Sequence, residues 1–143
     1  MYKAHKICVQ CWRKEKYCKC NNKRLELIDH NMVYIVVNLN KKGYKTKFSC
    51  GGHVENKIIY IYILFYNNYA FDTLPEGFVY KNKILFYENM KLKSKKEMQA
   101  DINHKIRILK MWVKTLNNAW QHYTGRQFDG FIFITTKNFN IKI

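Results

Sequence analysis

The sequence predicts an α+β protein: a mostly antiparallel sheet with one short and one long helix, preceded by a small zinc knuckle. Three observations predict it. Four of the five cysteines fall within the first twenty-four residues. Two stretches, 44–50 and 57–66, alternate their side chains with the two-residue period of a strand. From Ser94 onward, apolar residues instead recur at the three- and four-residue steps of a helix. A chain of 143 residues, 48% hydrophobic and 16% aromatic, suits one globular domain with a small appendage. The division read from the sequence is a Cys-rich knuckle over 1–24 and an α+β domain over 25–143.

The knuckle comes first. Cys8, Cys11, Cys18 and Cys20 form the pattern C-x2-C-x6-C-x-C. A C-x2-C turn sets two thiolates on one side of the chain, and a second close pair completes a tetrahedron around structural zinc. Two disulfides are the alternative use of these thiols, and a site completed by His5, or by Cys50 and His53, is another. Trp12 and Tyr17 stand among the lysines of this segment. They either stack on bases or pack the knuckle onto the main domain.

The remaining elements follow in order. Ile28, Met32, Ile35, Val36 and Leu39 lie at helical spacing, with Asp29 as N-cap and Gly43 as the stop. In 44–50, Tyr44, Thr46, Phe48 and Cys50 share one face and Lys45, Lys47 and Ser49 the other. Residues 57–66 form the next strand. Further strand signals stand at 78–87, where a hairpin fits, and at 130–136, with Pro75 marking a loop. Ser94 and Glu97 make a capping box, and Gly125 ends the long run. Its stripe is Met98, Ile102, Ile106, Leu109, Val113, Leu116 and Trp120, widened by Ile108, Trp112, Ala119 and Tyr123. The opposite ridge carries Lys96, Arg107, Lys110 and Lys114, a surface for nucleic acid or simply a solvated face.

Charge points to a partner. The net charge is +16, with 22 lysines, 4 arginines and only ten acids, and +7 of it lies in residues 1–24. AT-rich codons explain lysine over arginine but not the shortage of acids, so a polyanion is the expected partner. Arg13, Lys14, Lys16 and Lys19 would meet phosphates at the knuckle. Lys45 and Lys47, beside Tyr60 and Tyr62 on a neighbouring strand, would form a stacking platform for single-stranded bases. The competing reading buries those tyrosines under the first helix. The longest apolar run, 58–66, is nine residues, against about 20 for a bilayer. No apolar leader opens the chain, so the expected setting is cytoplasmic, away from membranes.

The stretch Ser49-Cys50-Gly51-Gly52-His53 holds the remaining chemistry. Cys50 and His53 are the candidate catalytic pair, although alternation turns Cys50 toward the core, where a thiol is a poor nucleophile. His53 reads as a metal ligand or as an ordinary loop histidine. Gly51 and Gly52 read as an anion nest for phosphate or as a tight turn. "HVE" at 53–55 lacks the later C-x-x-C and preceding proline of zinc deaminases. With no paired carboxylates, P-loop or dinucleotide fingerprint, the expectation is a binding protein rather than an enzyme.

The cysteine knuckle, "IVVNLNKKGYKTKFSCGGH" and the following "YIYILFY" together resemble a group of small uncharacterised proteins of phages and AT-rich Gram-positive bacteria. The shared positions are Leu39, Asn40, Gly43, Tyr44, Thr46, Ser49, Cys50, Gly52 and His53. A second likeness is to the wybutosine-synthesis methyltransferase family, whose tRNA-modifying members carry a similar Ser-Cys-x-Gly turn after a strand. An arginine stands there in place of His53. The resemblance covers residues 8–66 and implies a phage or mobile-element setting more than an activity. Three functions follow as expectations. The first is a zinc-knuckle protein binding RNA or single-stranded DNA. The second is a phage inhibitor of a host defence nuclease of the CRISPR type, acting on its ribonucleoprotein. The third is an RNA-modifying enzyme built around Cys50 and His53.

Overall fold

The structure is a computed structural model that describes residues 3–54, 58–92 and 94–119. Its first element is a hairpin absent from the sequence reading. Strand β1 (Ala4–Cys8) pairs antiparallel with β2 (Leu25–Asp29), and the cysteine-rich loop hangs between them. Ile7 and Ile28 of this pair sink into the main core.

The first helix is also shorter than its periodicity suggests. A 3₁₀ turn over His30–Met32 leads into α1 (Val33–Lys41), so the expected helical residues 28 and 29 belong to β2. Asp29 caps nothing with its side chain; its Oδ2 instead accepts the Gly51 N–H at 2.7 Å. The error has a geometric cause. Ile28 reaches the core from a strand and Met32, Ile35, Val36 and Leu39 from the turn and helix beyond it. A strand-to-helix corner that keeps one side inward mimics a continuous helical stripe.

The second sheet has the order β3-β4-β6-β5, with every neighbour antiparallel. Its strands are β3 (Thr46–Gly51), β4 (Ile59–Phe65), β5 (Val79–Lys81) and β6 (Ile84–Asn89). In β4, Ile59, Ile61, Ile63 and Phe65 are buried while Tyr60 is exposed, as the alternation requires. The hairpin expected within 78–87 is β5–β6. Its turn holds Asn82 and Lys83 at φ 53° and 69°, the double positive φ of a two-residue primed turn.

Strand β3 departs from the predicted facing. Thr46 lies opposite Phe65, but Phe48 lies opposite Leu64, so Lys47 is the extra residue of a β-bulge. Beyond it every side chain changes sides. Cys50 sits across from Tyr62 and Ser49 across from Ile63. Phe48, expected in the core with Cys50, is 59% exposed.

Helix α2 (Lys95–Thr115) starts at the predicted capping box: Ser94 Oγ accepts the Glu97 N–H, and Glu97 Oε1 accepts the Ser94 N–H. Met98, Ile102, Ile106, Leu109, Trp112 and Val113 are buried in one cluster with Ile59, Ile61, Ile63 and Phe65 of β4 and Ile35, Val36 and Leu39 of α1. Both helices therefore cover the same sheet face. The helix ends at Thr115, with Leu116 extended at φ −71°, ψ 137°, instead of running on to Gly125. Gly125, Trp120, Tyr123 and the strand expected at 130–136 lie outside the described residues.

A distant residue sets that end. The Lys42 ammonium donates to the carbonyls of Val113 and Leu116, both at 2.7 Å, and Lys114 at 3.4 Å. A cation there complements the helix dipole and satisfies terminal carbonyls. Tyr44 Oη donates to the Asn117 carbonyl at 2.7 Å, closing the same junction. Lys42→Met keeps the stem and removes the donors. It should cost about 2 kcal/mol, since hydrogen bonds from a charged group are worth about 1.5–3. The melting temperature should then fall by roughly 6 °C in a thermal melt followed by circular dichroism.

Candidate metal centre and its basic surround

Cys8, the last residue of β1, is fully buried. The chain then folds back on itself: Trp12 N–H reaches the Cys8 carbonyl at 2.8 Å, and Cys8 N–H reaches Arg13 O at 2.9 Å. Trp12 accepts φ 59° to make this turn, a left-handed conformation that non-glycine residues adopt only under local demand. An Ile7–Lys14 bridge and a 3₁₀ turn over Glu15–Tyr17 bring Cys18 and Cys20 round to meet Cys8 and Cys11. Val9 N–H bonds Arg24 O at 2.8 Å and closes the loop at its base.

The four sulfur atoms lie within 4.8 Å of one another, and all five cysteines are free thiols. Two thiolates on one zinc ion are about 3.8 Å apart, given bonds of about 2.3 Å and tetrahedral angles. This cluster can hold a metal ion. Backbone N–H groups already point at the sulfurs: Gln10 N lies 3.5 Å from Cys8 Sγ, and Cys20 N lies 3.4 Å from Cys18 Sγ. Amides of Arg24, Cys11 and Gln10 pull Cys8 down to a pKa of about 6. Cys20 is pushed up to about 12 by its hydrogen bond with Cys18, by burial and by the Cys11 and Cys8 thiols. Cys18 is raised too, because burial and the Cys8 and Cys11 thiols outweigh the Cys20 amide. One thiolate is easily made here. Four crowded thiolates need a cation among them.

The alternative ligand sets do not form. Cys8 pairs with Leu25 at one end of the hairpin and Ala4 with Asp29 at the other, a separation of about 14 Å at 3.4 Å per residue. His5 faces His30, with Nε2 and Nδ1 2.8 Å apart. Cys50 and His53 gather at the Asp29 end and so cannot complete the knuckle.

At that far end, Asp29, Cys50 and His53 bring one ligand atom each within 4.8 Å of the others. His53 Nε2 is 3.7 Å from Asp29 Oδ2. The two glycine amides read as an anion nest serve groups of the chain itself: Gly51 N–H donates to the Asp29 carboxylate, and the Gly52 amide is directed at the Cys50 sulfur. Gly51 is required because a Cβ would run into the Asn31 side chain, whose Nδ2 donates to Gly51 O at 3.0 Å. Burial raises the Cys50 pKa; the Gly52 amide works against this, and the Asp29 charge adds to it. Such a thiol is a poor nucleophile at neutral pH. The sequence reading missed Asp29 here because its position suggested a helix cap.

Among the expected nucleic-acid contacts, Arg13, Lys14, Lys16 and Lys19 are exposed around the cysteine loop. Tyr17 is 58% exposed under the Lys16 ammonium, 5.0 Å from its ring centroid, whereas Trp12 packs against the core. Of the two, Trp12 takes the packing role and Tyr17 stays at the surface. A cleft of about 260 Å³, lined by Trp12, Arg24, Lys45 and Tyr66 among others, joins the loop to the start of β3.

Aromatic rings do gather on the sheet face where Tyr60 and Tyr62 were expected, with other members than the sequence suggests. Tyr60, 43% exposed, lies 5.5 Å from Tyr62 and 6.0 Å from Phe86 by ring centroid. No helix covers this face among the described residues. The bulge replaces Ser49 on this side by Phe48 and Cys50. Lys47 sits at its edge, 5.9 Å from the Phe48 ring and 5.8 Å from Tyr66. Phe48, Tyr66 and Phe86 were missed, because only the bulge and the β4–β6 pairing bring them there. On α2, Lys96, Arg107 and Lys114 are exposed, and Lys110 is half-buried. They lie on the side of the helix away from the sheet, so they do not join the platform.

Comparison of the chain with protein-family models, curated proteins and solved structures gives no match. No helix among the described residues is long and apolar enough to cross a membrane.

Proposed function

We propose that this is a small zinc-knuckle protein that binds RNA or single-stranded DNA and is encoded by a phage or mobile element. Four cysteine sulfurs within 4.8 Å of one another favour zinc in a structural role, since four protein ligands leave no open position. The observation that carries the binding reading is a contiguous track. It begins at Arg13, Lys14, Lys16 and Lys19, crosses the cleft where Arg24 and Lys45 flank Glu26, and reaches Lys47 beside Phe48 and Tyr66, with Tyr62, Phe86 and Tyr60 further along the same sheet face. Cations spaced along a groove attract the backbone, and exposed rings stack on unpaired bases. A duplex hides its base faces, so single strands are preferred.

The test is fluorescence anisotropy with labelled single-stranded and duplex oligonucleotides of one length across a salt series. The single strand should bind more tightly, with affinity falling steeply as salt rises. Tyr60→Ala should weaken it roughly 5- to 160-fold, the range of about 1–3 kcal/mol for one stacked base. Equal affinity for duplex, or no binding in dilute buffer, defeats the reading.

A further inference from the structure

We propose that Asp29, Cys50 and His53 form a second site for a zinc-class divalent ion, with a fourth position open to solvent or to an anionic oxygen ligand. A carboxylate oxygen from the end of β2 converges within 4.8 Å with a thiol sulfur and an imidazole nitrogen from the end of β3 and the turn beyond it. His53 Nε2 stands 3.7 Å from Asp29 Oδ2, an ion-pair distance. It is close to the separation of two donors on one tetrahedral ion, about 3.3–3.5 Å for bonds of 2.0–2.3 Å.

The supporting shell is in place. Asp29, 8% exposed, is held through Oδ2 by the Gly51 amide, and Gly51 is held in turn by Asn31. Gly52, at φ 86°, turns the chain so that His53 returns toward Asp29. A substituent on Gly52 would crowd Ile61 and Ile102, which fixes the turn against the core. Such outer partners are what orient metal ligands.

The donor set selects the ion. One sulfur, one nitrogen and one oxygen suit a borderline ion such as zinc, whereas calcium or magnesium would take oxygens alone. The site differs from the knuckle in kind. Three protein ligands leave a coordination position free, the arrangement of sites that exchange ligands. Two of the ligands, Asp29 and His53, line a cleft of about 240 Å³ together with Lys3, His30, Gln99 and Asn103. Lysine, histidine and amide donors around the opening suit an anionic oxygen group.

Metal content of wild type, Cys50→Ser and His53→Ala after equilibration with zinc, measured by mass spectrometry, tests the assignment. The readout is the difference between wild type and variant, which does not depend on whether the knuckle is filled. Each variant should hold one ion fewer per chain than wild type, with an unchanged far-ultraviolet circular dichroism spectrum. The same content in wild type and both variants overturns the site. If Cys50→Ser misfolds, His53→Ala decides alone, because His53 is a partly exposed loop residue. With cobalt in place of zinc, inorganic phosphate should shift the d–d bands that Cys50→Ser removes. Unshifted bands overturn the open position.

Discussion

Removing metal with a chelator is expected to lower the melting temperature by roughly 15 °C. The size follows from linkage. A structural ion present at a thousand times its dissociation constant stabilises the folded state by about 4.1 kcal/mol. A chain of this length changes its melting temperature by roughly 3–4 °C per kcal/mol. The damage should be local. Residues 9–24 contribute little to the core besides Trp12 and the sulfur ligands, whereas Ile7 and Ile28 stay anchored among α1 and β4 residues. Without an ion, Cys18 and Cys20 return to neutral thiols, as their raised pKa values dictate. Nothing then holds the two ends of the loop together. Trypsin should therefore cut the chelated protein after Lys16, Lys19 or Lys23 well before it cuts α2. Cys11→Ser with Cys20→Ser should reproduce both effects without chelator. A melting temperature and cleavage pattern indifferent to chelator would remove the metal from the account.

What the sequence reveals and hides follows the range of the interactions involved. The start of α2 is legible because Ser94 and Glu97 satisfy each other within one turn. Its end is not, because Lys42, seventy-one residues before Val113, fixes it. The alternation of β4 is legible for the same local reason. The facing of β3 is inverted by one extra residue, Lys47, which leaves the polar–apolar pattern looking regular. The hairpin is hidden because β1 and β2 carry His5, Lys6 and Glu26 at exposed or half-exposed positions and are joined by no tight turn. The cysteine spacing identifies one cluster outright. The second needs Asp29 from β2 to meet Cys50 in β3 and His53 just beyond it, and only the packed chain brings them together.

Replacing Arg13, Lys14, Lys16 and Lys19 together by alanine is expected to weaken a single-stranded oligonucleotide several-hundred-fold at low salt. Each neutralised phosphate of a single strand contributes about 0.7 to the slope of log K against log salt. Four contacts remove about 2.8 from that slope, which near 0.1 M corresponds to about 600-fold. The four side chains are exposed and make no core contact, so folding should survive the change. Matched alanines at Lys96, Arg107 and Lys114 carry almost the same charge change on the far side of α2. They should cost a short oligonucleotide less than about threefold, through long-range attraction alone. The contrast separates a sited track from a merely basic protein. If both sets weaken binding equally, net charge is the whole explanation and the track has no role. If the four-residue variant keeps the slope of wild type, the cysteine loop does not touch the strand, and the aromatic face must carry it alone.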